Sequence, residues 1–235
     1  MTTDNRSPKI TVVIPVLNEE TLLPDTLQSL RAQTFRDYDC VVVDNGSTDN
    51  TVEIARRFGC HVVTEERRGV GYARQRGFEE ARGEIIASTD ADTLIPSDWL
   101  ESIAHSFHER PNQVAVYGVI RFRERRNLGN RAAEFFFTHF LWLNHFLGRP
   151  HFCGPNFAVR REAFSAVGGF KDGNHFYTDS EDVQLSLKLK ARGDIRFHKG
   201  LVVYTSSRRL KKGGHRYVWR HTKNYCSVVW LRKRR

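Results

Sequence analysis

Four short apolar runs, each ending in polar residues and separated by helix-length patterns, fill residues 9 to 89 and constrain the fold more than any other feature. "KITVVIPVL" (9–17) is continuous and β-branched, as a strand buried on both faces must be. "TLLPDTLQSLRAQ" (21–33) then sets Leu23, Leu27 and Leu30 on one helical face, with Pro24 suited to the first turn. A second strand at 40–43 runs into "DNGSTDNT", and "TVEIARRFG" (51–59) reads as a helix stopped by Gly59, with Ser47 or Thr48 better suited than Asp44 to cap its start. "CHVVTE" (60–65) is a third strand, "GVGYARQRGFEEARGE" (69–84) a glycine-marked turn and helix, and "EIIAST" (84–89) a fourth strand. Strands that alternate with helices at this spacing form βαβ units, hence a parallel sheet covered on both faces.

Ligands of open α/β sheets bind beyond the carboxyl ends of the strands. That edge collects Asn18 and Glu19 after the first strand, Asp44 after the second, and Asp90 and Asp92 after the fourth. One aspartate at a strand end is ordinary turn chemistry. Acidic side chains from three loops facing one crevice are a candidate site.

The second half continues with a helix over 96–110, where Ser97 or Asp98 is a plausible cap, and a strand over 113–122. An aromatic helix covers about 131–147, followed by "NFAVRREAFSAVGGF" (156–170), a strand, a helix and a Gly-Gly turn. "SEDVQLSLKLKARG" (180–193) is an amphipathic helix closed by Gly193, and 195–207 reads as two short strands. No repeat or low-complexity linker interrupts the chain, so the expectation is one compact domain over residues 1–235.

Charge is unevenly placed. From Arg196 onward there are 13 Lys/Arg and no Asp/Glu, against 24 basic and 27 acidic residues before it. A basic tail attracts phosphate in any form or simply stays solvated. Cys40, Cys60, Cys153 and Cys226 show no CxxC pairing and read as reduced thiols. The polar N-terminus lacks a signal-peptide layout, and no run reaches the roughly 18–20 apolar residues of a membrane span, so a cytoplasmic location is expected.

Five segments, "ITVVIPVLNEE", "VVVDNGSTDNT", "GVGYARQRGFEEARGEIIASTDADT", "GPNFAVRREAFSAVGGF" and "SEDVQLSLKLKARG", occur in this order. With them the chain resembles a family 2 glycosyltransferase of GT-A fold, from about Lys9 to Tyr204. The resemblance implies a Rossmann-like, mostly parallel central sheet with helices on both faces. It also implies inverting transfer of a sugar from a nucleotide-diphosphate sugar to an acceptor hydroxyl. Residues of about 9–95 form the nucleotide-sugar-binding half, about 96–205 the acceptor and catalytic half, and 206–235 the basic tail.

Residue by residue, the resemblance assigns Asp90 and Asp92 to the DxD motif, which holds a divalent metal (Mn2+ or Mg2+) and, through Asp90, the ribose-phosphate region. Such hard ions prefer carboxylate oxygens, and residues two apart in a strand-like segment point the same way. Asp44 falls where the family contacts the base or ribose. Main chain from Pro15 to Leu17 lines the base, with Glu19 nearby. Arg74 resembles the arginine that reaches the donor, with Gln75 replacing the family's asparagine. Asp182 is the expected general base beside Glu181. A helix N-terminus lowers carboxylate basicity, which Glu181 and exclusion of water could partly reverse. "CGPN" (153–156) places Gly154 and Asn156 in the acceptor and sugar loop. Many relatives carry a metal-binding histidine after the last strand; here Thr205 or Ser206 stands in that neighbourhood, leaving His198 and His215 as candidates. Arg208 and Arg209, with Lys211 and Lys212, could close over the diphosphate.

The aromatic segment 131–147, flanked by Arg121, Arg123, Arg125, Arg126, Arg131 and Arg149, is open to three readings: core packing, a homodimer interface, or peripheral contact with an anionic membrane carrying a glycan or lipid-linked acceptor. Two other functions compete. A sugar-phosphate nucleotidyltransferase would show a Gly-rich loop and an activating lysine after the first strand, absent here. A non-catalytic polyanion binder could use the basic tail but leaves the ordered acids unexplained. No nucleic-acid-binding motif is present, and no nucleic-acid partner is expected.

Overall fold

The computed structural model describes residues 8–124, 128–172, 175–176 and 180–208. Alternation along the first strand, β1 (Ile10–Val16), sets up two apolar layers: Val12, Ile14 and Val16 enter one, Val13 the other. The first layer is closed by helices α1 (Leu23–Arg31), α2 (Thr51–Arg57) and α4 (Trp99–Glu109), through Leu27, Ala55, Trp99 and Ile103 among others. The second is closed by α3 (Val70–Glu80), α5 (Leu128–Phe146), α6 (Arg161–Ala166) and α7 (Glu181–Leu189), through Phe78, Leu141, Phe164 and Leu185. The helices thus cover both faces of the sheet, as expected.

The other strands are β2 (Tyr38–Asp44), β3 (His61–Thr64), β4 (Ile85–Ser88), β5 (Thr93–Leu94), β6 (Gln113–Phe122), β7 (Phe157–Arg160) and β10 (Asp194–Thr205), with a separate hairpin of β8 (Lys171–Asp172) and β9 (His175–Phe176). The eight-stranded sheet runs β3-β2-β1-β4-β7-β6-β10-β5. β1 to β4 are mutually parallel, β7 is antiparallel to both neighbours, and β6 and β10 are parallel to each other. Because β7 runs backwards, the 153–156 loop before it arrives at the edge where β4 ends. β6 and β10 point the same way as β1, so Thr205 and Arg208 reach that edge too.

Pro15 sits inside a central strand, a position that normally forfeits a ladder bond. It is tolerated because β4 pairs with β1 only as far as Val13 and Ser88. Gly77 lets α3 lie close on the sheet: a Cβ there would meet Val13 Cγ1 at 2.4 Å and Val43 Cγ2 at 2.8 Å. The glycine therefore fixes how near the sheet α3 carries Arg74.

Three expectations change. The 195–207 region is one strand, with a register shift between Phe197 and Val202 in place of a break. α2 begins at Thr51, where Asp49 Oδ1 accepts the Thr51 N–H at 3.0 Å, so neither Ser47 nor Thr48 caps it. α4 begins after Asp98, whose side chain makes no capping bond. Cys40, Cys60 and Cys153 are free thiols, and Cys226 lies outside the described residues.

α5 buries one line, with Leu141 fully enclosed and Phe137 and Phe140 packed partly against the second layer. Its outer face leaves Phe135, Phe136, Trp142, Leu143, Phe146 and Leu147 at 44–74% exposure. Core packing accounts for only one side of this helix. Among the described residues no helix is long and apolar enough to cross a membrane.

Candidate active site

Short polar bonds tie the loops after β1, β2 and β3 into one wall. Asn18, in a left-handed conformation (φ 54°), accepts the Thr48 N–H at 2.8 Å and donates its own N–H to Ser47 Oγ at 3.0 Å. Asp44 accepts the Ser47 N–H at 2.9 Å, and Glu19 N–H reaches Thr51 Oγ1 at 2.8 Å. Asn45 donates to the carbonyls of Glu65 and Arg67 at 2.7 and 2.9 Å and accepts the Gly69 N–H at 2.8 Å. Pro15 lies at the rim of this wall and Leu17 projects from it, 42% exposed.

The centre of the crevice is Arg74, buried on α3. Its guanidinium donates to Asp90 Oδ1 at 2.6 Å and, through its other terminal nitrogen, to Glu181 Oε1. Arg74 thus spans the carboxylates that follow β4 and that open α7. Burial alone would lower its pKa, yet Asp90, Glu181 and Asp182 outweigh that and raise it, so it stays charged.

The paired acids respond in kind. Burial, offset by Arg74 and reinforced by Asp182, pushes Glu181 up to about 7. Asp182 is also raised: burial dominates over Arg74 and over the Val183 and Gly154 N–H groups that favour its charged form. Desolvation therefore more than reverses the lowering expected from the helix N-terminus. Asp182 keeps one edge accessible and accepts the Gly154 N–H at 2.8 Å.

Gly154 packs against the Arg74 guanidinium. A Cβ at that position would lie 2.1 Å from an Arg74 terminal nitrogen, so the missing side chain makes room for the guanidinium. Ser88 Oγ holds the Gly154 carbonyl at 2.8 Å. Asn156, expected in the sugar loop, is fully buried: its amide donates to the Val119 and Leu201 carbonyls and accepts from Trp99 Nε1 at 2.9 Å. It locks β6, β7 and β10 together beneath the loop. Gln75 faces away from the crevice and accepts the Phe170 N–H at 2.8 Å beside the Gly-Gly turn.

The two DxD aspartates do not project together, because the segment is a turn closed by Thr93 N–H on the Asp90 carbonyl at 3.2 Å. Asp90 goes to Arg74. Asp92 accepts from Thr205 Oγ1 at 3.0 Å and lies 3.5 Å from the Arg208 guanidinium, which also pairs with Glu19. Thr205 thus fills the neighbourhood where relatives carry histidine. His198 is remote: its neighbouring charges are Arg196, Glu109 and His105. His215, Arg209, Lys211 and Lys212 lie outside the described residues.

The residues around Arg208 suit a hard divalent cation. Asp92 and Glu19 offer carboxylate oxygens, Glu19 Oε2 is buried with no hydrogen-bond partner, and a guanidinium already stands between them as a cation. Among the described residues no cluster of three or more His, Cys, Asp or Glu forms a complete metal cage. That sparse donor set matches ions held by one or two carboxylates plus ligand phosphates.

Sequence comparison gives this arrangement a family. Residues 11–168 match the model of glycosyl transferase family 2, and the chain belongs to that family. It is 30% identical over 178 residues to a PGL/p-HBAD biosynthesis glycosyltransferase of Mycobacterium bovis, covering 70% of this chain and 64% of that protein. To the glucosyl-dolichyl phosphate glucuronosyltransferase of Haloferax volcanii it is 28% identical over 178 residues, 69% of this chain and 56% of the relative. The chain therefore spans little more than half the length of these relatives. Among solved structures, a mannosyltransferase from Pyrobaculum calidifontis in complex with GDP-Man and Mn2+ superposes with a TM-score of 0.70 at 26% identity, over 91% of this chain and 60% of that one. A Mycobacterium tuberculosis glucosyl-3-phosphoglycerate synthase, at 22% identity and a TM-score of 0.65 over 94% of this chain and 80% of that one, shares the fold. These neighbours bear out the GT-A architecture.

Arg74→Met leaves buried Glu181 and half-buried Asp90 without their counter-charge. Breaking one side of such a pair costs about 3–5 kcal/mol. Without the arginine the Glu181 carboxyl, already raised by burial, rises further, so the deficit should grow as pH rises from 5.5 to 7.5. Urea unfolding at the two pH values checks this; an unchanged midpoint at pH 7.5 would contradict the assignment.

Proposed function

We propose that this chain carries the donor-binding and catalytic parts of an inverting, metal-assisted glycosyltransferase. The observation that carries the reading is the Arg74 bridge, which places the DxD turn and the Glu181-Asp182 pair in one crevice at the carboxyl edge of the sheet. Residues of about 9–95 form the donor half and about 96–205 the catalytic half, with the basic tail beyond.

In this reading the wall of Pro15, Leu17, Glu19 and Asp44 receives the nucleotide, its base against main chain and its ribose toward Asp44 and Asp90. Asp92 offers the protein ligand for Mn2+ or Mg2+, with Glu19 beside it. Arg208 takes the diphosphate. A bound divalent ion supplies charge neutralisation for the departing diphosphate. Asp182 takes the proton of the acceptor hydroxyl. The freed oxygen attacks the anomeric carbon on the side opposite the diphosphate, the new glycosidic bond forms, and the old bond leaves its electron pair on the phosphate. A carboxylate of raised pKa is the better base for this step. Glu181, held by Arg74, fixes the start of α7 and so the direction of Asp182. Gly154 holds Asp182 from the loop expected to face the sugar.

The acceptor is proposed to be lipid-linked or a cell-envelope glycan, and the outer face of α5 to rest on an anionic membrane surface. Aromatic and aliphatic side chains lie along it, Arg131 is exposed on the same helix, and Lys199 Nζ stands 5.5 Å from the Trp142 ring centroid. Glu134, the only acid in this segment, turns inward to accept the Phe122 N–H at 2.7 Å. An apolar face bordered by cations and free of acids is the surface an anionic bilayer attracts. The Haloferax relative bears the name of an enzyme of dolichyl-phosphate glycans, which supports a lipid-linked acceptor.

A thermal-shift screen of nucleotide-sugars with Mn2+ identifies the donor. Asp92→Ala should lose the metal-dependent shift. Asp182→Asn should keep it while transfer falls by about 10²–10⁴-fold; full transfer by that variant would remove Asp182 as the base. Flotation with anionic and neutral vesicles tests the α5 surface. Salt-sensitive flotation only with anionic lipid, lost in the Phe136→Ser, Trp142→Ser double variant, is the expected outcome. Failure to float, with light scattering showing a dimer that the double variant breaks, would assign the face to a second copy.

A further inference from the structure

We infer that Arg208 is an exchangeable counter-ion, occupying the metal-side carboxylates when no nucleotide is bound and giving them up when a divalent ion enters. The inference rests on the metal-assisted reading above and concerns what this chain's own residues do before a ligand arrives.

Among the described residues two arginines line the crevice, and they are held differently. Arg74 is buried at 5% side-chain exposure, wedged against Gly154 and gripped by Asp90 and Glu181, so it cannot leave without stranding buried charge. Arg208 has 36% side-chain exposure and lies three residues beyond the end of β10. Its guanidinium pairs with Glu19 and stands 3.5 Å from Asp92, whose side chains are 11% and 8% exposed. Two carboxylates converging from separate loops repel each other, and a cation between them relieves that repulsion. In this structure that cation is the guanidinium.

A small divalent ion and a guanidinium cannot share these oxygens. The ion carries twice the charge and prefers carboxylate oxygen, whereas an arginine finds forked partners equally well in phosphate. Arg208 therefore has a destination once displaced, since a diphosphate arriving with the ion presents several acceptor oxygens beside it. Glu19 Oε2, buried with no hydrogen-bond partner, gains one only when a second donor or an ion reaches it. Arg208 is thus a positioning residue with two stations. Its first holds Glu19 and Asp92 in place, weakening binding of metal alone. Its second strengthens binding of metal with nucleoside diphosphate, so that ion and nucleotide enter together.

The two stations make effects of opposite sign, which no merely structural role reproduces. Free Mn2+ followed by electron paramagnetic resonance gives its affinity for wild type, Arg208→Ala and Arg208→Lys, each alone and with UDP or GDP. Without nucleotide, Arg208→Ala should bind Mn2+ about fivefold tighter than wild type, the worth of one partly exposed ion pair of about 1 kcal/mol. Adding nucleotide should strengthen Mn2+ binding less in Arg208→Ala than in wild type. Arg208→Lys keeps a charge and should stay near wild type for Mn2+ alone. Circular dichroism confirms that the variants fold. Equal or weaker Mn2+ binding by Arg208→Ala alone, or a lysine variant indistinguishable from alanine, would overturn the exchange while leaving the metal site intact. Absence of Mn2+ binding by wild type with either nucleotide would overturn the metal-assisted reading and the exchange with it.

Discussion

A buried guanidinium is costly unless each of its charged faces meets a carboxylate, and Arg74 meets that condition by drawing together Asp90 and Glu181, about ninety residues apart in the chain. Much of the candidate site follows from this constraint. Gly77 lets α3 approach the sheet, bringing Arg74 to the edge. Gly154 has no side chain because the guanidinium fills that space. The Asp182 carboxylate is in turn held by the Gly154 N–H. The turn after β4 and the start of α7 are joined through one side chain, so displacing either disturbs the electrostatics of the other.

The βαβ alternation was legible because a parallel sheet buried on both faces demands continuous β-branched runs, and residues 9–89 supply them. Placement of Asp44, Asp90 and Asp92 at one edge followed from the strand-end rule. The direction of the side chains was not legible. Asp90 and Asp92 were expected to point together as in a strand, yet the turn closed on Asp90 sends them to different arginines. Asn156 carried a motif position but faces the core, because three strands converge there and leave carbonyls that need a donor. Ser88 gave no signal, since a serine ending a strand is common, and Thr205 stood out only as the residue where a histidine was expected. What distinguishes them is the partner across the sheet, which appears only once β7 is seen to run antiparallel.

The charge pattern also takes on a spatial meaning. Arg208, the first arginine beyond β10, reaches back into the acidic edge, so the basic C-terminal stretch begins inside the site. α5 departs from the same edge after β6 and carries an apolar outer face bordered by Arg131 and Lys199. In the proposed function these features divide the labour: acids and arginines hold the nucleotide end, and the exposed helix brings a hydrophobic acceptor to the same rim. Burial raises the basicity of Asp182 where the helix N-terminus alone would lower it.

The proposed single displacement by an acceptor activated at Asp182 has a direct stereochemical signature. Proton NMR of the sugar first released when water replaces the acceptor reads the anomeric coupling before mutarotation. An α-linked donor should yield the β anomer initially. First release of the α anomer would contradict a single displacement and, with it, the role assigned to Asp182.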